Sequence, residues 1–111
     1  MDVRRHRAAV PVVIGVGDLA DRVPDDDLTS AKEPLSLLEE AARLAAKDAG
    51  PGAELLAELD SILVVNVAAW VYRDLPGSLG HRLGATPRHL VHSVWGGNWP
   101  TKLLDQAAAR I

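Results

Sequence analysis

The sequence has 111 residues, is 48% hydrophobic, and sets 12 Lys and Arg against 15 Asp and Glu, a formal net charge of -3. This is the size of one small domain, and its mild acidity lacks the basic face of a nucleic-acid binder. The absence of cysteine excludes disulfides, thiolate metal sites and a cysteine nucleophile among these residues, and no apolar run approaches the roughly 20 residues that cross a bilayer.

The chain starts with Arg4, Arg5 and Arg7 ahead of an apolar stretch, a superficial imitation of a signal peptide. Pro11, Gly15 and Gly17 interrupt that stretch, so a cytoplasmic location is expected. Residues 10–16 read instead as a first strand, nearly continuous in apolar side chains as in a strand buried on both faces. Residues 18–33, with Asp25, Asp26 and Asp27 in a row, read as a surface loop. A helix is expected over residues 34–49, opened by Pro34 and stopped by Gly50 and Pro51. Leu35, Leu38, Ala42, Ala45 and Ala49 form its expected buried stripe. Glu39 and Glu40 are both within helical reach of Arg43.

Residues 53–59 suggest one or two helical turns, and residues 62–67 a second strand. The segment from Trp70 to Asp74 breaks the pattern, residues 76–83 read as a short helix closed by Gly84, and residues 90–94 as a third strand. Gly96, Gly97 and Asn98 form a turn, and Pro100 opens a last helix carrying Leu103, Leu104, Ala107, Ala108 and Ile111. The order βαβαβα predicts an α/β fold, a mostly parallel sheet with flanking helices. The last helix ends without a stop signal and three strands leave open edges, which favours a part of a larger unit, completed by further chain or by a partner.

Four places invite chemistry. Gly15-Val16-Gly17 imitates a dinucleotide fingerprint, but an acidic, proline-containing stretch follows where a helix should start, so a strand-ending turn is the better reading. His89 and His92 are three apart in or beside a strand and point to opposite faces, with no third ligand at a useful spacing; His92 reads as a packed histidine. The stretch Gly96-Gly97-Asn98-Trp99-Pro100 is the most informative. It follows a strand and opens a helix, the place where ligands bind outside the carboxyl ends of parallel strands. Backbone N–H groups there suit an anion or oxyanion, and Asn98 suits either a helix cap or a donor to a carbonyl. Arg73, beside Trp70 and Tyr72, suits a phosphate or an adenine ring, or a subunit interface, which we prefer. Asp74 is expected to hold it.

Residues 11–17, the helix from Pro34 to Gly50, Leu59-Asp60-Ser61, Trp70 with Tyr72-Arg73-Asp74, and Gly96-Gly97-Asn98 with Pro100 together resemble the amino-terminal part of a thiolase. The resemblance is to acetyl-CoA acetyltransferase-like proteins related to the sterol-carrier-protein thiolases. It implies that residues 1–111 are a partial thiolase-like amino-terminal domain, the first βαβαβα portion of one thiolase-fold half. It implies, too, lipid metabolism through acyl-CoA thioesters, a homo-oligomer or a complementary thiolase-like or accessory subunit, and coenzyme A thioester as substrate rather than a tightly bound cofactor. The family's nucleophilic cysteine would fall around Gly96 or Gly97, which cannot take an acyl group, and its activating groups belong to the second half. Covalent catalysis needs both nucleophile and base. Some relatives lacking that cysteine resemble thiolase-like aldolases that pair with a second protein, so carbon–carbon cleavage in an intact assembly stays open beside acyl transfer. Gly96, Gly97, Asn98 and Arg73 are then the expected binding residues, with no catalytic residue and no metal in this chain. The alternative is a non-catalytic α/β protein-interaction module.

Overall fold

The computed structural model describes residues 10–22, 29, 31–67 and 70–111. The basic start, the acidic run at residues 25–27 and residues 68–69 lie outside the described residues. Helix α1 spans Pro34–Ala49 and α2 spans Ala53–Ala57; strand β1 follows at Ser61–Val64, helix α3 at Leu75–Arg82, strand β2 at His89–His92 and helix α4 at Trp99–Ala109.

Helix α1 forms where its sequence dictates. Pro34 sits in the first turn, and the N–H of Leu35, left without a partner inside the helix, donates to the Tyr72 hydroxyl at 3.0 Å. At the far end Gly50 takes φ 114°, a conformation costly to residues with a Cβ, and its N–H donates to the carbonyls of Ala46 and Lys47. The buried stripe is centred on Leu35 and Ala46, with Leu38 and Ala42 packed beside them. Ala45 and Ala49, expected in that stripe, are only half-buried. They face residues 14–15, where Gly15 and Gly17 bring the backbone against the carbonyls of Ala45 and Ala41. Arg43 pairs with Glu39 at 3.1 Å as the spacing predicts, whereas Glu40 pairs with Lys32 instead.

Strands β1 and β2 run parallel, with Ser61 opposite His89 and Val64 opposite His92. Parallel strands cannot be joined by a tight turn, and the connection contains α3, which packs on both. Gly80 permits the close approach: a Cβ there would lie 3.3 Å from Ile62 Cδ1. The pair is closed at one end by the N–H groups of Arg88 and His89 on the Asp60 carbonyl, and continued at the other by Ser93 N–H on the Val64 carbonyl at 2.9 Å. Leu35, Leu56, Ile62, Val64, Leu75 and Leu79 build the core with Ala46 and Leu83, and Leu75 is its fully buried centre.

The expected sheet-dominated α/β arrangement is overturned. The described residues are mostly helical, 44% helix against 9% strand, and the sheet is a two-stranded, unclosed pair. Two expected strands are present but shorter, at Ser61–Val64 and His89–His92. The first is not formed. Residues 10–16 join no ladder, and their side chains from Val10 to Ile14 and at Val16 stand exposed. An apolar run becomes a strand only where a neighbour offers carbonyl and N–H groups in register, and no such neighbour stands beside it among the described residues.

Candidate functional site

The carboxyl ends of β1 and β2 open side by side. Beyond Val64 the chain reaches Asn66, and beyond His92 it reaches Val94 and Trp95; these three line an open depression of about 380 Å³. Ser93, between the strand and the rim, is buried, and its hydroxyl donates to the Val94 carbonyl at 2.9 Å. The turn follows directly. Gly96 adopts φ 147°, and a Cβ on it would crowd Asn98 Oδ1 at 2.9 Å and Trp99 Cδ1 at 3.0 Å. Gly97 has open space where a Cβ would stand. The Trp99 N–H donates to the Gly96 carbonyl at 3.2 Å, and the Lys102 N–H to the Asn98 carbonyl at 3.3 Å begins α4.

Asn98 occupies the position before the helix, but its side chain makes no capping hydrogen bond. Of the two roles open to it, the cap is not used. In the first turn of α4 the Trp99 N–H is taken by the Gly96 carbonyl and Pro100 has none, which leaves the Thr101 N–H without a partner among the described residues. Lys102 lies over the Trp99 ring, 4.7 Å from its centroid, which adds a positive charge to the same turn.

Arg73 is exposed and has no ion-pair or hydrogen-bond partner among the described residues. Asp74 does not hold it: its Oδ1 accepts from the Gly77 N–H at 3.1 Å and caps α3. Tyr72 is likewise occupied by α1, and Trp70 stacks on it with ring centroids 6.4 Å apart. The structure keeps Gly96, Gly97 and Asn98 together in one turn, but neither these three nor Arg73 lines the depression, whose walls are Asn66, Val94 and Trp95. His89 is half-buried and His92 exposed, on alternate faces of β2, so the expected packed role for His92 is not found. No group of three metal-ligating side chains occurs among the described residues. Asn66, Trp95 and Lys102 were not singled out by sequence. Asn66 had a signal, the one polar side chain in an apolar run; Trp95 and Lys102 gain their place only from the fold.

The carboxyl ends of a parallel strand pair thus open beside a glycine turn and the start of a helix. A relative of the chain comes from comparison with solved structures. The chain matches the crystal structure of a monomeric SCP2-thiolase-like protein type 1 from Mycobacterium smegmatis, with a TM-score of 0.73 and 27% sequence identity. The match covers 91% of this chain and 20% of that one. The chain is thus a structural relative of the SCP2-thiolase-like proteins, as its sequence resemblance implied, and it spans about a fifth of the length of that structure. No family model matches the sequence, and no curated protein does.

Proposed function

We propose that this chain is the amino-terminal portion of a larger thiolase-like protein or complex that processes acyl-CoA thioesters by acyl transfer or carbon–carbon cleavage. In that assembly it contributes fold and one wall of the thioester pocket. The observation that carries this reading is the match to an SCP2-thiolase-like structure over 91% of the chain. Support for a non-catalytic share comes from residues 96 and 97, both glycine, which offer no nucleophile at the turn. Further chain or a complementary thiolase-like or accessory subunit supplies nucleophile and base. The turn from Gly96 to Asn98 serves the thioester carbonyl, and Arg73 serves the phosphates of coenzyme A. A cytoplasmic location belongs to the same proposal. No helix among the described residues is long and apolar enough to cross a membrane.

Two of the three tryptophans, Trp95 and Trp99, flank the turn, so intrinsic fluorescence reports on it. Titration with acetyl-CoA and with a longer acyl-CoA is expected to give saturable quenching, weakened about three- to tenfold in Asn98→Ala by loss of one hydrogen bond to the ligand. Fluorescence indifferent to both thioesters would remove acyl-CoA binding from this chain and favour the interaction-module reading.

A further inference from the structure

Residues 62–67 are an apolar run with one exception, Asn66. On the alternation of β1, where Ile62 and Val64 are buried, residue 66 is a place for another core side chain. Asparagine is among the residues least suited to such a run, and a β-branched residue would suit it better. A residue that breaks its local pattern calls for a compensating role. The ordinary ones for asparagine are a helix cap, a turn with positive φ, or a hydrogen bond to nearby backbone. None is met among the described residues. The next helix starts only at Leu75, residue 66 does not have positive φ, and its carboxamide has no hydrogen-bond partner. The side chain is half-buried, neither fully hydrated nor sealed in the core. It stands at the carboxyl end of β1, two residues past the last pair of the ladder, Val64 with His92. There it shares the depression of about 380 Å³ with Val94 and Trp95, each 62% exposed. A single polar group placed among apolar walls is how binding sites fix the orientation of a ligand.

We propose that Asn66 donates from Nδ2 to the carbonyl oxygen of a bound acyl thioester, with the start of the acyl chain against Val94 and Trp95. The inference rests on the acyl-CoA reading above and adds a residue to it. A carbonyl oxygen has two lone pairs. It can therefore take one hydrogen bond from Asn66 and another from the turn, which follows Trp95 directly. Val94 and Trp95 offer no side-chain acceptor to compete for the Asn66 amide, since valine is apolar and the indole N–H only donates.

The test compares acetyl-CoA with S-ethyl-CoA, in which a methylene replaces the carbonyl. Affinities are read from tryptophan fluorescence, and the Asn66 side-chain amide signals from two-dimensional 15N–1H NMR. The parent chain is expected to prefer acetyl-CoA, which shifts the Asn66 amide signals further than S-ethyl-CoA does. Asn66→Leu removes the donor and is expected to weaken acetyl-CoA about three- to tenfold while leaving S-ethyl-CoA unchanged. Asn66→Asp keeps the shape of the side chain, turns the donor into an acceptor, and is expected to act in the same direction. A parent that binds both ligands equally, or variants that keep the parent's preference or weaken both ligands alike, would overturn the role of Asn66 and leave acyl-CoA binding standing. A parent that binds neither ligand would overturn this inference together with the reading on which it rests.

Discussion

Gly96 and Gly97 look interchangeable in the sequence and are not so in the turn. Gly96 sits at φ 147° with Asn98 Oδ1 and Trp99 against its would-be Cβ, while Gly97 faces open space. Gly96→Ala is expected to cost about 1–3 kcal/mol of stability, the scale of a side chain held in a disfavoured backbone region. Gly97→Ala should stay within about 0.5 kcal/mol of the parent. Urea unfolding of the two variants checks this, and equal midpoints would show that the turn is not built as described. Tyr72 gives a second case. Chemistry-minded reading sets it beside Arg73 as an interface or ligand residue, yet its hydroxyl accepts the Leu35 N–H that Glu33 leaves uncapped. Tyr72→Phe removes the acceptor and little else, so a loss of about 1 kcal/mol is expected. A phenylalanine variant as stable as the parent would leave that hydrogen bond without weight. Neither distinction is visible in sequence: the first depends on a dihedral angle, the second on a contact across 37 positions.

The helices were legible because their signals are local. Pro34, Leu35 and Gly50 place α1 between the same residues in sequence and structure, and proline in the first turn marks α3 and α4 as well. The strands were legible only in part, because a strand depends on a distant neighbour. Residues 62–67 and 90–94 found one another, though over only four pairs, whereas residues 10–16 have the stronger apolar run and no ladder. At the turn, Gly96 to Asn98 were grouped by their place after a strand, and Arg73 was joined to them on chemistry alone. Leu75→Ala at the fully buried centre of the core should cost about 2–5 kcal/mol, read from denaturant midpoints; a loss below 1 kcal/mol would mean the core is not packed around α3. The entry to the strand pair is held by Arg88 Nε on Asp60 Oδ1 at 2.8 Å. That hydrogen bond first, and then the charges of Arg88 and Arg110, hold the Asp60 carboxyl below the ordinary carboxylate value despite an opposing desolvation. Because the folded value is the lower one, the contribution is present above the unfolded value and is lost as pH falls through the folded value. Carboxyl-detected NMR should show the Asp60 midpoint rise in Arg88→Ala; an unmoved midpoint would contradict the pairing.

At the scale of the whole molecule, the chain divides into a packed part and an open part. Helices α1 and α3 and the strand pair share one apolar core. Residues 10–16 and the outer side of α4 leave Val12, Val13, Leu104 and Ile111 in solvent. The structural relative is about five times as long as the region it shares with this chain. On the reading proposed above, this chain's share is the surface at the strand ends. The most direct test is a two-dimensional 15N–1H NMR titration of the chain with acetyl-CoA and a longer acyl-CoA. We predict saturable shifts concentrated at residues 95–99, at Asn66 and at Arg73, for both thioesters. Well-dispersed spectra that do not move, or shifts confined to residues remote from the strand ends, would contradict the account.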